Sequence, residues 1–145
     1  EDAINLVREV VLVEGPIHSD EVTRRYASAL GKSRAGKKIQ DVVLKSLNVL
    51  TDNRDITEVE SFFGTLEQFS NPPIRNRGSE SSTTIKPQYI SSAEINACAT
   101  LILDQSGDVP LAELTKTIAK VLGFKRAGPD FQERVANVLK PEKLT

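Results

Sequence analysis

The chain contains two copies of one sequence motif. LGKSRAGKKIQDVVLKSL at residues 30–47 aligns without a gap with LGFKRAGPDFQERVANVL at residues 122–139, at an offset of 92. Eight of the eighteen aligned positions are identical, whereas sequences of ordinary composition would share about one by chance. Because the repeat falls within only 145 residues, it predicts two very small units built on one plan.

The first unit has the apolar periodicity of three helices. Apolar residues recur at helical spacing in three successive stretches, which predicts a helix over each. Gly15-Pro16 is expected to end the first helix, and Gly31 is expected to end the second, which begins near Ser19. The apolar positions are Ile4, Val7, Val10 and Val11 in the first stretch, Val22, Tyr26 and Leu30 in the second, and Ile39, Val43, Leu47 and Leu50 in the third.

The second unit repeats this pattern. Ser91 and Glu94 have the spacing of a capping box at the start of its first helix, and Pro129 suits the first turn of its third helix. The apolar positions are Ile95, Cys98 and Ile102, then Leu111, Leu114, Ile118 and Leu122, then Phe131, Val135 and Leu139.

The segment between the two units has a different composition. RDITEVESFFGTL (54–66) is rich in β-branched and aromatic residues, and NPPIRNRG (71–78) follows after a turn. We interpret these as the two strands of a β-hairpin. The predicted fold is mainly α, with two tandem helix-turn-helix, winged-helix-like units, the first carrying a small β-hairpin wing. The predicted organisation is a winged unit at 1–78, a Ser-rich linker at 79–90 and a second three-helix unit without a complete wing at 91–145.

Gly31-Lys32-Ser33 resembles the end of a phosphate-binding loop. That motif requires a glycine five positions before Gly31, where this chain has Tyr26, and it requires a strand before the loop instead of a helix. The second copy reads GFK and lacks the lysine and serine. The sequence therefore predicts a helix cap at Gly31 and no nucleotide cofactor.

The polar face of the third helix is basic. Net charge over the whole chain is −1, so nucleic-acid binding would require positive charge segregated on one face. The third helix of a helix-turn-helix is the one that enters a DNA groove. These charges also suit an ordinary solvated face, and both interpretations stay open. The candidate nucleic-acid-binding residues are Arg24, Arg25, Arg34, Lys37, Lys38 and Lys45, then Arg75 and Arg77 on the expected wing strand, and Arg126 in the second unit.

Several classes of function are not expected. With one cysteine and one histidine, the chain lacks the residues for a disulfide framework or a Cys/His metal cluster. Cys98 is expected in the core, and His18 at a helix start, bonded to a backbone group. No catalytic constellation, small-molecule substrate site or membrane-length apolar run is recognisable. We expect a cytoplasmic, non-enzymatic piece of a longer protein.

Several stretches together resemble a known family. VVLVEGPIHSDEVTRRYASALGKSRAG, RDITEVESFFG, PPIRNR, ISSAEINACATLIL and LGFKRAG are similar to a bacterial domain of unknown function. That domain lies at the C-terminal end of large superfamily I helicase-like proteins, often beside a restriction-endonuclease-like domain. The resemblance implies that motor and nuclease domains lie upstream. It assigns no functional residues.

The sequence thus predicts an accessory module of a DNA-processing protein of the helicase or nuclease type. It would contact DNA through the basic helix-turn-helix face, mostly at phosphates, because lysines outnumber the side chains suited to reading base edges. The alternative is a protein-interaction or structural module that packs on the helicase or nuclease domains of the parent chain.

Overall fold

Helices dominate both halves of the chain. In the computed structural model, the structure describes residues 2–80 and 85–140. These contain seven α-helices and one small antiparallel sheet, as the predicted mainly α fold requires. Residues 1–71 and 72–145 form two separate units.

The first unit consists of four helices and three short strands. The helices are α1 (Asp2–Glu14), α2 (Ser19–Ala29), α3 (Lys37–Asp52) and α4 (Leu66–Ser70), and the strands are β1 (Ile17–His18), β2 (Thr57–Val59) and β3 (Phe62–Gly64). α1 ends at the predicted Gly15-Pro16 pair, where the Gly15 N–H donates to the Val11 carbonyl at 2.7 Å.

The apolar face of α3 forms the centre of this unit's core. Val43, Leu47 and Leu50 are completely buried and pack with the buried side chains of α1 and α2, including Val7 and Val22. Burial of a side chain of this size contributes about 1.5–3 kcal/mol. The core therefore fixes which face of α3 points outward, and the predicted apolar stripe is confirmed.

The sheet differs from the prediction in two ways. β2 and β3 form a hairpin within residues 57–64, with Glu58 opposite Phe63, while residues 72–77 are not in a strand. The predicted second wing strand at 71–78 is therefore wrong. The hairpin turns at Glu60 and Ser61, both with positive φ, without the glycine that marks such turns in a sequence. β1, which was not predicted, adds to the other side of β3.

Gln68 joins the short α4 to the end of α1. Its side-chain amide donates to the carbonyl oxygens of Val11 and Leu12 at 3.1 and 2.9 Å. Its carbonyl oxygen accepts from the Thr65 N–H at 2.9 Å, while the Thr65 hydroxyl accepts from the Gln68 N–H, which completes a capping box. One side chain thus satisfies backbone groups at the ends of two helices.

The second unit contains three helices, α5 (Ser92–Ser106), α6 (Leu111–Leu122) and α7 (Pro129–Val138). Within its described residues it has no strand. Ile95, Ile118 and Phe131 are among the buried residues of its core, and Ile74 packs against them. The predicted boundary after residue 78 therefore moves to between Asn71 and Pro72. Part of the predicted linker, residues 81–84, lies outside the described residues, and a single 3₁₀ turn occupies 87–89.

Candidate nucleic-acid interface

The turn before the third helix has the same backbone structure in both units. Gly31 and Gly123 have φ of +77° and +92°, a left-handed conformation that glycine adopts without steric cost. The amide that follows each glycine donates to the carbonyl five residues earlier, at 2.9 Å in both copies. The predicted role of Gly31 as the cap that ends the second helix is confirmed.

A glutamine fixes the end of this turn in each unit. Gln40 donates from its side-chain amide to the Ala35 carbonyl at 3.0 Å, and Gln132 donates in the same way to Ala127 at 2.7 Å. The N-cap glycine of the following helix is extended in both copies, with φ −75° and ψ 178° in the first and φ −72° and ψ 176° in the second. The identical residues of the sequence repeat therefore maintain one joint between helices.

A groove lies beside this joint in each unit, with a volume of about 390 Å³ in the first and about 290 Å³ in the second. The first groove is lined by Ser19, Asp20, Thr23, Arg24, Ser33, Arg34, Ala35, Gln40 and Leu44. The second is lined by Leu111, Ala112, Thr115, Lys116, Ala127, Gln132 and Ala136. Each of these seven residues lies 92 positions after a residue that lines the first groove. The two units thus carry one surface feature with different chemistry.

The outer face of α3 is exposed and positively charged. Lys37, Lys38 and Lys45 are exposed, as is Arg34 in the turn before the helix. Within the part of the chain that the structure describes, these four side chains make no ion pair. Asp41, also exposed, lies one helical turn from both Lys37 and Lys45. The four positive charges and one negative charge of these five residues sum to +3. The structure thus brings these four predicted residues together at α3 and its preceding turn.

Two of these lysines oppose the helix dipole. Lys37 and Lys38 form the first turn of α3, which contains no acidic residue, and the N-cap Gly36 offers no side chain to the free N–H groups. A helix N-terminus favours negative charge by about 0.3–1 kcal/mol per group. In the second unit the aligned residues are Pro129 and Asp130, which satisfy both the helix start and the dipole.

The second unit has lost this positive face. The positions aligned with Arg34, Lys37, Lys38, Asp41 and Lys45 are Arg126, Pro129, Asp130, Glu133 and Asn137. One positive and two negative charges give them a net charge of −1. Arg126 is exposed beside the exposed Lys125, but none of the aligned positions on α7 carries a lysine.

The two arginines of α2 are held by carboxylates. Arg25 donates from Nε to both carboxylate oxygens of Glu14, at 2.9 and 3.0 Å. Arg24 forms an ion pair with Glu21 one turn earlier on α2, and both side chains are largely buried. Arg24 still lines the groove beside Arg34, but its charge is already balanced within the unit.

Arg75 and Arg77 do not lie on a wing. The predicted alternation on a strand is wrong, because these residues lie outside any strand and belong to the second unit, where they contact Glu94. The Arg77 guanidinium contacts both Glu94 oxygens, at 2.9 and 2.6 Å, and the Arg75 N–H donates to the same carboxylate at 2.8 Å. The side chains of Arg77 and Glu94 are 14% and 3% exposed, so this is a buried, bidentate ion pair.

Ser91 and Glu94 behave only partly as predicted. The Ser91 hydroxyl accepts from the Glu94 N–H at 3.1 Å and is the N-cap of α5. The Glu94 carboxylate, however, is occupied by the arginine segment and does not complete the capping box. Spacing alone could not distinguish these uses, because the arginine partner is remote in sequence.

His18 and Cys98 have the structural roles expected of them. His18 is the N-cap of α2, and its Nδ1 accepts from the Asp20 N–H at 3.0 Å. Cys98 is completely buried. Burial, with a smaller contribution from the negative charge of Glu94, raises the pKa of its thiol to about 11, which makes it a poor nucleophile at neutral pH.

Two further classes of feature are absent from the described residues. Across 2–80 and 85–140, no group of three His, Cys, Asp or Glu side chains is arranged to hold a metal ion. None of the helices described there combines the length and the apolar character that crossing a membrane requires.

Comparison with known proteins gives one match. A family model described as a protein of unknown function (DUF3320) matches residues 3–41. The matched segment comprises α1, β1, α2 and the turn into α3, so the resemblance to a domain of unknown function is confirmed over part of the first unit. No curated protein and no solved structure matches the chain.

Two further residues lie on this surface. Lys32 is exposed in the same turn as Arg34, although the sequence-based candidates did not include it. Leu44 lines the groove and is 50% exposed. Its position on the polar face of the third helix predicts such an exposed apolar side chain, and the structure confirms it.

Proposed function

We propose that the first unit binds DNA through a winged helix-turn-helix, with α3 and its preceding turn as the contact surface. The single observation that supports the proposal is the positive charge of Arg34, Lys37, Lys38 and Lys45 on one exposed face, which forms no ion pair within residues 2–80 and 85–140. Phosphate contacts made by lysine and arginine supply most of the sequence-independent affinity for DNA. The first unit also has the chain order of a winged helix, in which a hairpin follows the third helix.

The unfavourable start of α3 supports the same proposal. Lysines at a helix N-terminus lower stability slightly, and such departures from local preference concentrate at functional sites. A bound phosphate group would relieve this repulsion. The second unit, built on the same joint, has no such lysines, so the joint itself does not require them.

Within a larger protein, we propose that the chain is a non-catalytic accessory domain. The resemblance implies a bacterial, cytoplasmic parent of the helicase or nuclease type, whose catalytic domains act on the DNA that this unit holds. Arg25 and Arg77 are not part of the proposed contact surface, because the guanidinium group of each is hydrogen-bonded to a carboxylate, Glu14 and Glu94 respectively.

The experiment is a fluorescence-anisotropy salt titration with labelled duplex DNA. Four phosphate contacts predict that log K falls with log salt at a slope of about −3.6, and replacing Lys37 and Lys38 with alanine should reduce it to about −1.8. Asp41→Asn should tighten binding, because it removes the one negative charge on this face. The control is Lys116→Ala with Lys120→Ala, which removes two exposed lysines from the second unit. No detectable binding at low salt would refute the proposal.

The apolar groove of the second unit favours a second function, contact with another protein domain. Leu111 and Ala112 line its groove where the first groove has the polar residues Ser19 and Asp20, and Leu111 is 51% exposed. We propose that this groove packs against another domain of the parent protein, since exposed apolar surface marks protein contacts. Amide hydrogen exchange at Leu111 and Ala112 should be slower in the parent protein than in this chain. Equal rates would contradict the contact.

A further inference from the structure

Single-stranded and double-stranded nucleic acids expose different chemical groups, and the residue types of a protein surface indicate which of the two it fits. Single-stranded DNA exposes the faces of its bases, and proteins that bind it stack those faces on aromatic rings, each worth about 1–3 kcal/mol. In duplex DNA the faces are covered, and the accessible charge is that of the phosphates. The position of the aromatic side chains therefore discriminates between the two.

The proposed contact surface has no aromatic ring. The chain contains two tyrosines, five phenylalanines and no tryptophan, and all seven lie in the described residues. Tyr26, Phe62, Phe63 and Phe131 are buried. Phe69, Tyr89 and Phe124 are half-buried. None belongs to α3 or to the turn before it, so bases have no stacking platform there.

The shape of the surface suits a duplex groove. An α-helix with its side chains is about 10–12 Å across, which fits the B-DNA major groove of about 12 Å. Lys38 and Lys45 are separated by two helical turns, or about 10.5 Å along the axis. Arg34 lies at the same end as Lys38. Positive charge at both ends of this stretch can meet the phosphate strands that border a groove.

Amide side chains that could bond to adenine are few on the same face. The amide nitrogen of Gln40 is already used by the Ala35 carbonyl, and Asn48 is the exposed amide that remains along α3. Duplex RNA presents a deep, narrow major groove that side chains do not enter. The groove-sized helix therefore favours DNA over RNA.

From these observations we infer that the face formed by Arg34, Lys37, Lys38 and Lys45 takes double-stranded DNA in preference to single-stranded DNA, with little dependence on base sequence. The inference rests on the proposed function, since it names the substrate class of that same site.

The test is a competition experiment at fixed salt. A labelled 16-base-pair DNA duplex is bound to the chain and displaced by unlabelled competitors with the same number of phosphates: the duplex itself, a scrambled duplex, single-stranded oligo-dT and an RNA duplex. Both DNA duplexes should compete equally, and at least about tenfold better than oligo-dT, the equivalent of one missing stacking contact. They should also compete better than the RNA duplex, whose major groove does not admit the helix.

The outcomes separate the two proposals. Competition by oligo-dT as strong as that of the duplex would overturn the duplex preference while leaving DNA binding intact. If the RNA duplex competed as well as the DNA duplex, the preference for the DNA major groove would be overturned. If the scrambled duplex competed several-fold worse than the original, the independence of base sequence would be overturned. Failure of the labelled duplex to bind at all would instead refute the proposed function. The Lys37→Ala, Lys38→Ala variant tests whether duplex binding occurs at α3. It should weaken duplex binding far more than the Lys116→Ala, Lys120→Ala control does.

Discussion

Replacing Lys37 and Lys38 with the residues of the second unit should change stability and DNA binding in opposite directions. The variant Lys37→Pro, Lys38→Asp copies Pro129 and Asp130 onto the same joint. The N-cap glycines of the two helices have almost identical backbone angles, with ψ of 178° and 176°, a region that a following proline favours. The graft should therefore fold without backbone rearrangement.

The magnitude follows from the helix dipole. Removing one lysine and reversing the charge of the other at the exposed N-terminus of α3 changes three unit charges. At about 0.3–1 kcal/mol each, this should raise the free energy of unfolding by about 1–3 kcal/mol at low salt. The proline adds up to about 0.4–1 kcal/mol by restricting the unfolded chain. Two of four phosphate contacts are lost, and an aspartate is placed where a phosphate would lie, so DNA affinity at low salt should fall by more than tenfold.

Urea denaturation and fluorescence anisotropy on the same preparations measure the two effects. A variant that is more stable but binds DNA as tightly as the parent would show that these lysines do not contact the nucleic acid. A variant that is less stable would show that the dipole argument is wrong, whatever its affinity. A lysine-to-alanine pair at Lys116 and Lys120 is the matched control for loss of two positive charges and should leave affinity nearly unchanged.

The remaining predictions test the scaffold. Gly31→Ala should lower the free energy of unfolding by about 1–2 kcal/mol, because of its left-handed backbone alone. Gly123→Ala should lower it further, because its Cβ would also overlap the backbone nitrogen of Gly78. Equal losses in urea denaturation would contradict this packing. Arg77→Ala should destabilise the second unit by about 3–5 kcal/mol by leaving a buried carboxylate unpaired, and under native conditions it should leave the salt slope of DNA binding unchanged. Gln68→Leu should cost the first unit about 1–3 kcal/mol through unsatisfied backbone groups, and a thermal midpoint equal to that of the parent chain would refute this role. Cys98 should react with a thiol reagent at pH 8 only when the chain is unfolded. Its pKa is raised to about 11 in the folded state, so the folded chain keeps a proton that the unfolded chain loses above the ordinary thiol pKa of 9.0. The free energy of unfolding should therefore fall as pH rises from about 9 to 11.

Local periodicity was enough to predict the three longer helices of each unit, whereas the short α4 (Leu66–Ser70) was not predicted. The apolar stripe containing Val43 and Leu47, the stop at Gly15-Pro16 and the cap at Gly31 are properties of residues near one another in sequence. The alignment of the two copies also predicted the shared turn before the third helix. Leu-Gly and Arg-Ala-Gly are identical in both copies, as expected if both units require the same turn. The exposed lysines of α3 follow directly from the position of the apolar stripe.

The errors arose where a distant residue decides the structure. Arg77 looked like one of two alternating arginines on a strand, but Glu94 draws it into a buried ion pair. The hairpin turn at Glu60 and Ser61 has no glycine or proline to announce it. β1 is two residues long and forms only by pairing with the edge of β3. A local sequence pattern cannot predict such a pairing.

The most direct test of the account is an NMR titration of the isotopically labelled chain with a short DNA duplex. We predict that amide shifts concentrate in residues 34–48, at Arg34, at the first turn of α3 and around Lys45, while the aligned residues 126–140 remain unchanged. Shifts confined to the second unit, or spread equally over both copies of the joint, would contradict the claim that only the first copy carries the DNA-binding face.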